Sequence, residues 1–432
     1  MRGEQAAARA AIFVAALVAL IAGQAAVAAE PVTQPEVPRL FNAAALQPFF
    51  AALAGLDQPG ATRQLRILQI GDSHTANDAF SGDMRERLQA RFGASGRGWL
   101  PAGIPFKYYR PALVSVEENG WRHVHAGEGE AAARLGLDAV VAQAEHPDAS
   151  MRLTSQEPLG FDRFAIEFIA QPHGAPLTVR FDGGAVRTVT TEAAITAHRR
   201  VEMLLPRAAH TVELTATDGV GQEVLGWAVE RRQRGIIYEN HGTIGATVAL
   251  LNRMNPAVVA AELAERRPAL LVVAFGTNEG FKDGLDRGEY AAQFRAAVTG
   301  LRQKAHGAAV LIVGSPDGNR LAKECNGAAA AAVGCRADPS DSGAACAWTE
   351  PRNLAAVRDI QRRIAAQQGW AFWDWSAAMG GACTMPQWVA ADPPLAMPDH
   401  VHLSKAGYAA TADMLFRDLM HADEDWKRTR RR

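Results

Sequence analysis

The 432-residue sequence has only four cysteines, so no disulfide framework stands in for a hydrophobic core, and a hydrophobic content of 48% excludes a disordered or fibrous chain. Charge of one sign is also missing. With 45 Lys and Arg against 46 Asp and Glu, the formal charge is −1, and no global basic field points to nucleic acid as a partner. Long apolar runs are absent after the first thirty residues, which argues against an internal membrane span. Aromatic residues are scarce at 7%, yet nine residues are Trp. Trp99, Trp121 and Trp227 read either as sugar-stacking platforms or as core filling.

What is present begins at the N terminus. Arg2 and Arg9 precede the apolar run 12–22, and Ala26-Val27-Ala28 is a small-x-small cleavage site. Residues 1–28 are therefore expected to be a cleaved secretory signal, and 29–59 a lead containing Pro31, Pro35 and Pro38. Cysteine usage agrees with export. Cys325, Cys335, Cys346 and Cys383 cluster late in the chain and can form two disulfides in an oxidising compartment, with three connectivities open. Zinc is the rival reading, against which stands the lack of any C-x-x-C knuckle. His123 and His125 form a His-x-His pair, but no metal site is expected there.

Short apolar strands at 65–70, 269–275, 309–314 and 370–374 alternate with helical stretches, the pattern of a doubly wound parallel sheet whose site lies at the carboxyl ends of its strands. Between 114 and 231 the pattern changes. The segments 163–168, 177–181, 200–204, 211–215 and 224–229 alternate apolar with polar residues, and Asp182-Gly183-Gly184 is a hairpin signal. The expected fold is thus α/β, a doubly wound domain in two parts, 60–113 and 232–420, interrupted by an inserted antiparallel β-sandwich at 114–231. Residues 317–350 read as a long loop held by disulfides. Residues 421–432 read as a solvated basic tail, and any membrane contact is expected through it alone.

Four motifs sit at expected strand ends, and each supplies a part for acyl transfer. Ser73 follows Gly71-Asp72 on a tight turn that exposes its hydroxyl. Asp399 precedes His402 by three residues, close enough for one turn to bring carboxylate and ring together. Asn278 in Gly276-Thr277-Asn278-Glu279 offers an amide donor, and Asn240-His241-Gly242-Thr243-Ile244-Gly245 offers glycine N–H groups. Nucleophile, base, orienting acid and oxyanion donors are then all present. Asp72 reads as an acceptor for turn amides, and His74 either caps the helix behind Ser73 or shapes the pocket.

This combination resembles the SGNH/GDSL hydrolase family. The resemblance implies Ser73 as nucleophile, His402 as base, Asp399 as its partner, and an oxyanion hole of Ser73 N–H, Gly245 N–H and the Asn278 amide. Gly245 is placed by the family's spacing of five residues after an Asn, here Asn240, with Gly242 the alternative. Two departures are His74, where Leu is usual, and Glu279, where Asp is usual. With the inserted β-rich segment and the signal, the chain looks like the periplasmic peptidoglycan O-acetylesterases, in which the inserted module resembles a carbohydrate-binding domain. That likeness implies a periplasmic enzyme removing the O-6 acetyl of N-acetylmuramic acid through an acetyl-enzyme, with no metal or organic cofactor and with O-acetylated peptidoglycan or a related glycan as partner. An O-acetyltransferase using the same triad, and a non-catalytic glycan-binding or assembly protein, remain the alternatives.

Overall fold

Alternate residues of the most apolar strand feed two different cores, which is what a sheet covered on both faces requires. The structure is a computed structural model that describes residues 38–321, 325, 335–336 and 346–430. Its central sheet holds five parallel strands: β1 (Gln64–Gly71), β2 (Gly235–Gly242), β3 (Leu270–Ala274), β4 (Ala309–Val313) and β5 (Ala371–Trp373), in the order β5-β4-β3-β1-β2, with Leu40–Phe41 antiparallel on β5. Leu270 and Val272 join one core with Met84, Leu88, Leu415 and Leu419. Leu271 and Val273 join the other, with Val259, Phe294 and Ile364. Helices Ala79–Phe92 and Lys405–Arg430 therefore cover one face, and Pro256–Arg266, Arg287–Lys304 and Leu354–Gln368 the other.

The region between β1 and β2 is antiparallel. One sheet has five strands, 114–119, 150–155, 177–181, 186–189 and 211–216, and a second runs through 121–125, 140–144, 161–170, 197–209 and 223–230. A common apolar cluster joins them, with Leu153, Val179 and Leu214 from the first sheet and Phe164, Ile166 and Trp227 from the second. Gly98–Pro101 lies before residue 114, yet it pairs with Glu223–Glu230, Trp99 opposite Ala228. The Asp182-Gly183-Gly184 turn joins Leu177–Phe181 to Val186–Val189. Trp99, Trp121 and Trp227 are at most 7% exposed, so all three are core filling and none is a surface platform.

The basic end departs from expectation. In place of a solvated tail, the last helix continues to Arg430 because its charges have partners and its Trp has a neighbour. Lys427 Nζ is 2.7 Å from Asp423 and 3.5 Å from Asp57, and the Trp426 ring lies 6.3 Å from Phe50. The expected signal lies outside the described residues. Among those described, no helix is long and apolar enough to cross a membrane.

Buried charges join the antiparallel region to the edge of the parallel sheet. Arg66 of β1 lies 2.6 Å from Glu230 and 2.7 Å from Glu239 of β2. Arg266 lies 3.2 Å from both Glu167 and Glu239 and stacks on Trp99 at 4.2 Å. His241 of β2 meets Asp138 at 2.9 Å. Burial alone would raise the Glu167, Glu230 and Glu239 carboxyls, but the adjoining guanidiniums outweigh it and hold all three below the usual range. Glu262 is the exception, pushed up to about 7 by burial against the pull of Arg266.

Because the folded pKa values of Glu167, Glu230 and Glu239 are depressed, their contribution to stability is present above the unfolded carboxylate pKa and is lost on acidification. Arg266→Leu takes one buried cation from both Glu167 and Glu239, leaving Glu239 to Arg66 and Glu167 to His198 and Arg200, and is expected to cost about 3–5 kcal/mol in urea unfolding at pH 7.5. The loss should shrink at pH 5, where a carboxylate that has lost this cation takes up a proton. Equal losses at both pH values would assign the effect to the Trp99 stack instead.

Candidate active site

Three strand ends stand level. Gly71 of β1 pairs with Gly242 of β2 on one side and with Ala274 of β3 on the other, so the turns after these strands open on one edge of the sheet. A Cβ on Gly71 would lie 2.4 Å from Ala274 O and from Thr75 Oγ1, and one on Gly242 would lie 2.1 Å from Ala76 N. Only glycine permits these approaches.

Ser73 opens the short helix Ser73–Ala76. Asp72 caps it, its carboxylate accepting the His74 N–H at 3.0 Å, so the cap is Asp72 and not His74. Asn240 clamps the same turn to β2: its amide donates to Thr75 O, and its Oδ1 accepts the Gly242 N–H at 3.1 Å. Burial pushes the Asp72 carboxyl up to about 7 against the pull of the His74 N–H, and nearby Glu279 adds to the rise.

A second turn brings up the base. Ser73 Oγ is 3.0 Å from His402 Nε2, and His402 Nδ1 is 2.7 Å from Asp399 Oδ2. Asp399 Oδ1 accepts the N–H groups of Val401 and His402, each at 2.9 Å. Burial raises the Asp399 pKa, but the His402 ring and these two N–H groups outweigh it, and the carboxyl is held below its ordinary value. The three side chains form one line in which a serine proton can pass to an imidazole braced by an ionised carboxylate.

Asn278 and Glu279 act together on the loop after β2. Asn278 Nδ2 donates to Ala246 O at 2.8 Å, and Glu279 Oε1 accepts the Val248 N–H at 2.8 Å. The longer side chain where Asp is usual thus reaches a backbone amide. Gly245 lies between these anchors and the end of β2, exposed and at φ 71°. The Gly242 N–H is already given to Asn240 Oδ1.

Residues 208–410 match the GDSL-like lipase/acylhydrolase family model. Over that stretch the chain is similar to GDSL-like hydrolases. The match takes in Gly245, Asn278, Asp399 and His402 and begins within the antiparallel region, with Ser73 before it. A solved peptidoglycan O-acetylesterase is 26% identical, covering 89% of this chain and 99% of its own, at a TM-score of 0.72. A family two carbohydrate esterase from Cellvibrio japonicus is 12% identical over 76% of this chain and 98% of its own, at 0.28. A salicylyl-acyltransferase from a tetracycline biosynthetic pathway is 14% identical over 75% and 96%, at 0.32. No curated protein matches.

Two further residues lie near the base: His74, which the sequence left between a cap and a pocket residue, and Trp348, which carried no motif. His74 is buried 5.2 Å from the His402 ring, with Nδ1 2.9 Å from Tyr408 Oη. Burial, and next the His402 charge, push it down to about 3, so it stays neutral beside the base. The Trp348 ring stacks on His400 at 3.5 Å, inside the Asp399–His402 turn. Trp348–Thr349 pairs with Cys335–Arg336, and the cysteines join Cys325 to Cys346 and Cys335 to Cys383, so two disulfides tie together the described parts of the expected loop. Among the described residues no group of His, Cys, Asp and Glu has the arrangement of a metal site; His123 Nε2 is 2.9 Å from Glu118.

Trp348→Ala should lower kcat on a small acetyl ester about ten- to a hundredfold with KM nearly unchanged, since it loosens the turn that aims His402. Trp348→Phe should recover most of it. Steady-state kinetics on folded protein make the comparison, and an unchanged kcat for Trp348→Ala would remove the stack from the positioning of the base.

Proposed function

We propose that the chain is an exported serine esterase that removes O-acetyl groups from peptidoglycan. The observation that carries this reading is the unbroken line from Ser73 Oγ through His402 to Asp399. The substrate class is taken from the peptidoglycan O-acetylesterase matched along nearly its whole length.

In the proposed reaction Ser73 Oγ attacks the acetyl carbonyl while His402 Nε2 takes its proton. Asp399 holds the ring by Nδ1 and balances its positive charge. The developing oxyanion receives the Ser73 and Gly245 N–H groups and the second N–H of the Asn278 amide, whose first is spent on Ala246 O. His402 returns its proton to the departing sugar oxygen as the ester C–O bond breaks, which frees the sugar hydroxyl. Water, with His402 again as base, then releases acetate from Ser73. The antiparallel region between β1 and β2 is read as an inserted β-sandwich that holds the glycan, residues 1–28 as a signal removed on export, and the periplasm as the site of action.

Acetate release from O-acetylated peptidoglycan, with and without free acceptor glycan, tests the proposal. Release without acceptor is expected. Ser73→Ala and His402→Ala should each cost roughly 10³–10⁶ in kcat, and the double variant little more than either alone, because the two act as a unit. Acetate appearing only as acetyl transferred to the added glycan would make the enzyme a transferase, and near-normal turnover by Ser73→Ala would overturn the mechanism.

A further inference from the structure

A cavity of about 120 Å³ lies between the Ser73 helix and the antiparallel region. Ala76, Thr243, Ile244, Phe106 and Val140 are among the residues that line it. Thr243, Ile244 and Phe106 are all partly or fully exposed, so the cavity opens beside the turn that carries Gly245. Its volume is about four water molecules' share of liquid.

Two polar residues that line it bear on what it takes. Tyr109 is 8% exposed, and its hydroxyl has no hydrogen-bond partner within the protein. Burial holds the phenol well above its ordinary pKa, so the group is a proton donor at any physiological pH. Asp138 lies at the opening and accepts from His241 Nδ1 at 2.9 Å and from the Trp99 indole N–H, and its oxygens have lone pairs for one more donor.

The charges around the cavity are already answered. Arg97 donates to Asp78 at 2.8 Å, to Ala112 O at 3.0 Å and to Trp99 O at 3.3 Å, and Asp78 also pairs with Arg85 at 3.0 Å. An anion would face Asp138 and a cation would face Arg97, so the fitting ligand is neutral. It carries one acceptor for Tyr109, one donor for Asp138 and a small apolar end for Phe106 and Val140.

We propose that this cavity is a subsite for the acetamido group of an amino sugar in the bound glycan, the carbonyl accepting from Tyr109, the amide N–H donating to Asp138 and the methyl group lying against Phe106 and Val140. The four heavy atoms of that group match the volume. The inference rests on the reading of the chain as a glycan esterase and names the substituent by which it selects amino sugars over other acetylated glycans.

Full-length Ser73→Ala protein is titrated calorimetrically with an N-acetylglucosamine tetramer and with a glucose tetramer, which is neutral and lacks the acetamido groups. The N-acetylated oligomer is expected to bind at least about tenfold more tightly, and adding Tyr109→Phe should weaken it about tenfold while glucose-oligomer binding stays as it was. Tyr109→Phe removes a hydroxyl that has no partner, so its melting temperature should hold or rise, which checks the fold. Equal binding of the two oligomers, binding of neither, or indifference to Tyr109→Phe would overturn the subsite. Acetate release by the Ser73-intact enzyme separates the two readings. Discrimination between oligomers without acetate release would keep the subsite and discard the esterase, and the converse would do the reverse.

Discussion

Gly71 is paired on both sides, with Gly242 and with Ala274, and the site depends on that register. Three parallel strands that finish level send three turns across one edge, so residues 73, 245 and 278 arrive together although the sequence spreads them over two hundred positions. A slip of one residue in β1 would turn Leu65 and Ile67, now in one core, toward the other, and would carry Ser73 away from its partners. The two apolar cores therefore fix the chemistry at a distance. Packing sets the register, and the register sets where the nucleophile stands.

The edge strand β2 gives the antiparallel region its attachment. Glu239 and His241 point from β2 into the same charged seam as Arg66, Glu167, Glu230 and Arg266, while Asn240 between them braces the Ser73 turn on the other face. Successive side chains of a strand face opposite ways, so a single strand serves both the seam and the active-site turn. Burying so many charges is costly unless each keeps a partner, which binds the position of the antiparallel region to the geometry of the turns. The cavity between them inherits its walls from both.

Much of this architecture was readable from residue order, because strand ends and tight turns have local signatures. An apolar run into Gly71-Asp72-Ser73 specifies strand, turn and exposed hydroxyl within ten residues, and the Asp399–His402 spacing specifies a second turn. The seam was not readable. Glu167 and Glu230 sit among apolar strand residues, and nothing local separates a charge facing solvent from one facing Arg266. Trp348, Tyr408 and Tyr109 act through contacts with distant segments and leave no motif. The disulfide pairing needed the fold, as did the end of the last helix, where Trp426 finds Phe50 and Lys427 finds Asp57. Charge composition alone reads that segment as solvated.

In the proposed mechanism the His402–Asp399 pair activates Ser73 as a nucleophile. Treatment with a fluorophosphonate, which captures an activated serine, followed by peptide mass analysis and an assay of residual esterase activity, tests it directly. One adduct per chain is expected, on the peptide carrying Ser73, forming in step with loss of activity and forming far more slowly in His402→Ala. Complete inactivation with the adduct on another residue, or modification of Ser73 that leaves acetyl-ester hydrolysis intact, would contradict it.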